Sequence, residues 1–272
     1  AEGLGTLGDV LRLTGFASML SVIFMLMFVS SFTGPVLPFY IQRLEKLTDL
    51  QASTVNANIS ALWAVAAGLS AAVLGRWSDR VGHARIMVFC LVLNGLVLFP
   101  HALVRNNTEL LVLRLLSAIA GAGITPSANA LIRALVPRHA VGKAFGIVQS
   151  CSNAGWGLGP MVGSALAVQC GLRMSFVVVA VGVCLLSAIA ALAGVFSRLK
   201  SDIVLVTGDR VEAFAAAVAA HLSQRIVAHV HGGDRAQGQV DDSLRHAITK
   251  LAHVHFPATE ASARRLARLG EQ

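Results

Sequence analysis

The chain has 272 residues, of which 55% are hydrophobic and 13% charged, and its mean hydropathy is +0.69. A soluble domain carries about 25% charged residues, so this composition excludes a disordered chain and argues against an ordinary soluble enzyme. Formal charge is +8 with a pI near 10.2, yet the 22 Lys and Arg residues sit in short clusters between apolar runs, without the continuous basic face that nucleic-acid binding requires.

Charge density changes near Ser197. Residues 1–197 hold 18 charged residues (12 basic, 6 acidic), and residues 198–272 hold another 18 (10 basic, 8 acidic) in only 75 positions. Six of the nine histidines also fall in this short tail. The expected organisation is a membrane domain over 1–197, a linker over 198–202 and a small α/β segment over 203–272. The chain opens on Ala1 and is expected to be trimmed or incomplete at its start. Its first apolar stretch is too long for the core of a signal peptide.

A membrane span needs about 20 apolar residues. Six stretches qualify, at 17–41, 53–74, 86–104, 110–132, 144–168 and 174–196, separated by short polar connectors. Lipid offers the backbone no partner, so each is expected to be a helix. With the N-terminus in the cytoplasm, the inner loops carry Arg12, Arg76, Arg80, Arg85, Arg133, Arg138, Lys143, Arg198 and Lys200. The outer loops then carry only Arg43, Lys46, Arg105 and Arg173. This bias predicts a multi-pass protein of the inner (plasma) membrane with both termini cytoplasmic. Cys90, Cys151, Cys170 and Cys184 lie in or beside apolar runs without metal-ligand spacing, so free thiols are expected, with no metal and no cofactor.

After the second span the sequence reads Gly75-Arg76-Trp77-Ser78-Asp79-Arg80-Val81-Gly82-His83, expected to be a charged loop with Gly82 at a tight reversal. In the fourth span, Arg114 is the one formally charged residue well inside an apolar run, and such a charge points to a functional site. Gly155, Gly159, Pro160 and Gly163 of the fifth span read G-x-x-x-G-P-x-x-G, which permits close helix contact and a kink. Asn58, Asn94, Asn129 and Asn153 are further polar positions within spans.

The spacing G-x-x-x-D-R-x-G on Gly75, Asp79, Arg80 and Gly82 resembles the signature loop of the major facilitator superfamily of secondary transporters. Arg114 with Gly121 and Gly123 looks like that family's fourth-span motif, although Ala118 stands where a glycine is usual. The fifth-span motif and Gly34-Pro35-Val36-Leu37-Pro38 are similar to the drug–proton antiporter branch. Over about residues 16–197, the resemblance implies the N-terminal six-helix half of such a transporter. Its partners would be the lipid bilayer, a small-molecule transport substrate, and either a second copy in a homodimer or a missing second half. The glycine face of the fifth span is the expected seam of that dimer.

In the tail, strands are expected at Ile203–Thr207, Arg225–Val230 and His255–Ala258. Helices are expected at Val211–Leu222, from Asp241 through Leu251, and at Glu260–Leu269. Alternation of this kind implies a parallel, Rossmann-like sheet with ligands beyond the carboxyl ends of its strands. Gly208-Asp209-Arg210, His231-Gly232-Gly233-Asp234 and Asp241-Asp242-Ser243-Leu244-Arg245-His246 look like the UDP-N-acetylglucosamine 2-epimerase family, in its hydrolysing branch. The resemblance implies catalytic roles for Asp209, Asp241, Asp234 and His231. It implies contact with UDP-N-acetylglucosamine at Arg210, Asp242, Arg245 and His246. Most of such an enzyme, including its UDP-gripping domain, is missing. The expected function is therefore a drug-efflux type secondary transporter, incomplete in this chain. The alternatives are a membrane-tethered epimerase fragment or a non-functional fusion of two fragments.

Overall fold

The computed structural model describes residues 16–235 and 240–271. It divides into two compact units, Ala1–Ser187 and Ala188–Gln272.

The first unit is helical. Its first span is made of α1 (Phe16–Ser31) and α2 (Thr33–Glu45), which meet at Phe32. Pro35 lacks the N–H that would bond to the carbonyl of Ser31, and the break falls beside that missing bond, whereas Pro38 is carried inside α2. Next come α3 (Asp49–Val81) and α4 (His83–Leu98), followed by a 3₁₀ turn at Phe99–Leu103. Thr48 caps α3 in a capping box with Gln51. α5 (Asn107–Gly121) and α6 (Ile124–Leu135) form the fourth span. Their joint falls where Pro126 denies a donor to the carbonyl of Ala122. α7 (Val141–Cys170) and α8 (Leu172–Leu199) complete the series.

Five of these segments are long and apolar enough to cross a membrane: Ile23–Glu45, Asp49–Val81, His83–Leu103, Asn107–Ala134 and Leu172–Leu199. The predicted span at 144–168 forms α7, which has 30 residues but stands outside that set of five. Its glycines, Gln149, Asn153 and Pro160 dilute the apolar content. The predicted loop at 75–83 is also different. Residues 75–81 complete α3, and only Gly82, at φ +106°, leaves the helix. Arg76 and Arg80 favour the helix, and the hydroxyl of Ser78 donates to the carbonyl of Gly75 at 2.7 Å.

Packing explains the glycines of α7. A Cβ on Gly155 would lie 2.7 Å from the carbonyl oxygen of Phe24. One on Gly159 would collide with the Ser31 hydroxyl and the Phe28 carbonyl, and one on Gly163 with the backbone of Phe32. All three glycines are buried. The seam expected to join two copies is therefore occupied by α1, within one chain. Deeper in the unit, His101 stacks on Phe176 with ring centroids 5.5 Å apart, and Tyr40 packs tilted against Phe176 at 5.1 Å. The Tyr40 hydroxyl donates to the carbonyl of His101 at 2.8 Å.

The second unit holds β1 (Ile203–Thr207), α9 (Val211–Leu222), β2 (Ile226–Val230), α10 (Val240–Leu251), β3 (Val254–Phe256) and α11 (Glu260–Arg268). The strands are parallel in the order β1-β2-β3, with Ile203 opposite Ile226 and Ala228 opposite Val254. One sheet face buries Val204, Val206 and Val227 against Ala217, Ala220 and Ile248. The other leaves Ile203, Leu205, Ile226, Val254 and Phe256 exposed. A parallel sheet is normally covered on both faces; among the described residues this one is covered on one face only.

Gly159→Ala should lower the stability of the first unit by about 1–3 kcal/mol, because its added carbon meets backbone. Gly157→Ala, where nothing lies within 4 Å, should change it by less than about 0.5 kcal/mol. Thermal unfolding of both variants in detergent checks this, and equal losses would contradict the close approach.

Candidate functional site

Two places concentrate polar chemistry, one in each unit. In the first, a cavity of about 670 Å³ is walled by α1 to α8. Its lining is apolar except for Ser30, Thr33, Asn94, Arg114, Ser117, Thr125 and Asn129, with Trp63 and Trp156 at its sides. α5 carries Arg114 and Ser117 to the same wall, because residues three apart share a helix face. The Arg114 guanidinium lies 5.9 Å from the centroid of the Trp63 ring. Its Nε is buried without a hydrogen-bond partner. Ser117 donates to Oδ1 of Asn94 at 2.8 Å, which joins α5 to α4. A second cavity of about 470 Å³ shares Leu26, Met27, Ile124, Thr125, Asn129 and Trp156 with the first. It continues to Gln149 and Asn153, which bond to each other at 3.0 Å.

The loop-motif residues lie elsewhere. Asp79 is 70% exposed and 3.9 Å from Nε2 of His83. Arg80 is exposed in the last turn of α3, and Gly75 has open space around it. Pro160 sits inside α7, and its carbonyl accepts from the Ser164 hydroxyl at 2.7 Å. Sequence reasoning singled out Arg114, Asn94 and Asn129 but missed Trp63, Ser117, Thr125 and Trp156. The signal for Ser117 was its spacing of three from Arg114. Trp63 and Trp156, each set in a helix otherwise rich in small residues, were the signal for the side walls.

In the second unit, the predicted residues divide. Asp209, just beyond β1, forms an ion pair with Arg245 of α10, and their side chains are 18% and 12% exposed. His231 follows β2 at φ +67°. Its Nδ1 lies 3.2 Å from Asp234, whose other oxygen accepts from the Ser262 hydroxyl at 2.5 Å. The Ser262 hydroxyl, the His231 ring and the nearby Arg245 charge together hold the Asp234 carboxyl below the usual carboxylate range. Arg210 points outward to Glu212 at 3.8 Å, and His246 is exposed, bonding to the carbonyl of Asp242. Asp241 and Asp242 lie in the first turn of α10, where carboxylates are favoured by the helix dipole. The fold thus gathers Asp209, Arg245, His231 and Asp234 at the carboxyl ends of the strands, where ligands of parallel sheets bind.

Sequence reasoning missed His229, which is fully buried in β2. Its Nε2 donates to the carbonyl of Gly208 at 2.9 Å and its Nδ1 accepts from Thr249 at 3.3 Å. That neutral imidazole fixes the Gly208-Asp209 turn against α10. Burial pushes its pKa below 6.5, opposed by the bond to Gly208.

Apolar helices around an amphipathic cavity define a multi-pass membrane protein of the carrier type. The Major Facilitator Superfamily matches residues 19–230, and the chain belongs to that family. The last part of the match runs over β1, α9 and β2. A multi-drug resistance efflux pump PmrA homolog of Lactococcus lactis is 31% identical over 159 residues, covering 58% of this chain and 39% of its own. Multidrug resistance protein MdtG of Dickeya zeae is 33% identical over 147 residues, 54% of this chain and 36% of its own. A hydrolysing UDP-N,N'-diacetylbacillosamine 2-epimerase of Legionella pneumophila is 56% identical over 79 residues, 29% of this chain and 20% of its own. The chain therefore joins a transporter-like part to a shorter epimerase-like stretch, and it spans well under half the length of these curated relatives.

A histidine whose folded pKa is depressed adds stability in full above its unfolded value and loses it as pH falls toward the folded value. Hydrogen exchange of β1 and β2 in the whole chain should therefore quicken as pH drops below 6.5, after correction for intrinsic rates. His229→Gln should flatten that dependence. An unchanged dependence in the variant would contradict the assignment.

Proposed function

We propose that the first unit is half of a drug-efflux type secondary transporter that moves a small molecule through the cavity beside Arg114. The observation that carries this reading is an apolar cavity lined by a few polar groups and one cation, Arg114, whose Nε is buried without a partner. Ligand sites pair an apolar lining with a few placed polar groups in just this way. The similarity to named efflux pumps supports the same reading.

In this account α7 serves as a sixth span, residues 1–197 form the membrane domain, 198–202 a linker and 203–272 a truncated Rossmann-like segment. Both termini lie in the cytoplasm, with the plasma membrane as the site of action. Trp63 and Trp156 line the cavity yet are 38% and 59% exposed, so the cavity is open at its side. A second six-helix half, from another copy or another chain, closes it there. Asp79, Arg80, Gly75 and Gly82 act at the cytoplasmic end of α3 as a gating contact. Gly155, Gly159, Pro160 and Gly163 hold α7 on the first span.

A second reading is favoured by the Asp209–Arg245 pair at the strand ends and by the epimerase-like stretch. In it, the tail is the remnant of a site for UDP-N-acetylglucosamine. Asp209, Asp241, Asp234 and His231 are its acid–base groups, with Arg210, Asp242, Arg245 and His246 facing the ligand. Proton removal at C2 needs such groups, but the sheet face left uncovered argues that the remnant is incomplete.

Proteoliposomes bearing a proton gradient, loaded in turn with a lipophilic cation, a neutral dye and an aromatic carboxylate, test the first reading. At least one should be moved against its gradient. Asp79→Asn should slow that movement about 5- to 150-fold, the range of a coupling energy of about 1–3 kcal/mol, and Asp209→Asn should leave it unchanged. UDP release from UDP-N-acetylglucosamine should stay at background. Release that Asp209→Asn abolishes would reverse the order of the two readings. Protease should reach the tail in sealed inverted vesicles, and protection there would overturn the orientation.

A further inference from the structure

The cavity beside Arg114 has a sign. None of the residues lining it is acidic, and Arg114 is its one charged group. Among the described residues, no ion pair includes Arg114. Its Nε is buried with no acceptor, and its guanidinium faces the Trp63 ring instead of a carboxylate. A cation set among apolar side chains with no counter-charge is partly desolvated, and it is stabilised when an opposite charge arrives.

The neutral polar groups lean the same way. Ser117 uses its proton on Oδ1 of Asn94, so what Asn94 has left for an occupant is its Nδ2 donors. A fixed cation and free N–H donors ask for an acceptor-rich anion. Trp63 and Trp156 add flat apolar walls that suit an aromatic ring.

We propose that this cavity binds an aromatic monoanion, with the carboxylate or an equivalent acid group on Arg114 and Asn94 and the ring between the two tryptophans. This rests on the transporter reading and narrows its substrate class. A lipophilic cation would meet Arg114 with no carboxylate to compensate. The site therefore selects against that class.

Equilibrium dialysis of the full chain in phosphatidylcholine nanodiscs tests this with benzoate, benzamide and benzylammonium, which share a ring and differ in charge. Benzoate should bind about tenfold or more tighter than benzamide, with benzylammonium weakest, as one charge pair in a screened interior requires. Arg114→Gln should bring benzoate to the level of benzamide and leave benzamide binding unchanged. Arg114→Lys should keep part of the preference. If benzamide matches benzoate, or benzylammonium binds tightest, the anion assignment fails while the cavity and the transporter reading stand. If none of the three binds saturably, both fail. The order of the three ligands on the unmodified chain decides the matter even if Arg114→Gln does not fold.

Discussion

The close approach of α7 to the first span is the constraint on which the membrane unit depends. Gly155, Gly159 and Gly163 present bare backbone to Phe24, Phe28 and Phe32, and no side chain could stand between. In lipid there is little hydrophobic gain from helix contact, so such fits supply the attraction through dispersion and polar backbone contacts. The Ser31 hydroxyl completes the fit, lying 2.9 Å from the Phe28 carbonyl and 3.4 Å from that of Gly155. With α1 fixed on one face of α7, Trp156 is left on another, beside Met27 and Thr125 at the cavity wall. The glycines thus act on function through geometry. They set where the cavity can be.

Electrostatics divides the two units. In the membrane unit a single guanidinium is set among apolar residues and amides, and its unmet bonding capacity is the feature that points to a ligand. In the tail, Arg245 finds Asp209, and Asp234 finds Ser262 and His231. Those charges are largely satisfied by one another. Among the described residues one sheet face stays uncovered, with Leu205 63% exposed and Phe256 51% exposed.

Much of this was readable from the sequence because membrane spans and parallel β-α units carry strong periodic and compositional signals. The strands at Ile203–Thr207 and Ile226–Val230, and the helix at Val211–Leu222, follow the β-branched and alanine-rich runs closely. The joints were harder. Nothing in the run of the second span announces that α3 continues to Val81, since a charged Arg76-Trp77-Ser78-Asp79-Arg80 stretch serves equally as loop or exposed helix. The partner of the α7 glycines was misread for a related reason. A small-residue stripe states that a helix comes close but not which helix. Trp63 and Ser117 became site residues only once α3, α4 and α5 were brought together, because their roles depend on contacts between distant parts of the chain. His229 was hidden among apolar neighbours, where its hydrogen bonds to Gly208 and Thr249 give it a structural task.

The central claim is that the first unit lies in a bilayer and encloses a cavity wetted by water. Labelling with a membrane-impermeant, water-soluble thiol reagent tests it directly, in a chain whose Cys90, Cys151, Cys170 and Cys184 are replaced by alanine. Asn129→Cys lines both cavities, whereas Val181→Cys sits at a position 52% exposed on the apolar α8. In nanodiscs the account predicts rapid labelling at position 129 and almost none at 181, where lipid covers the helix. Labelling at 181 as fast as at 129, or none at 129, would contradict it.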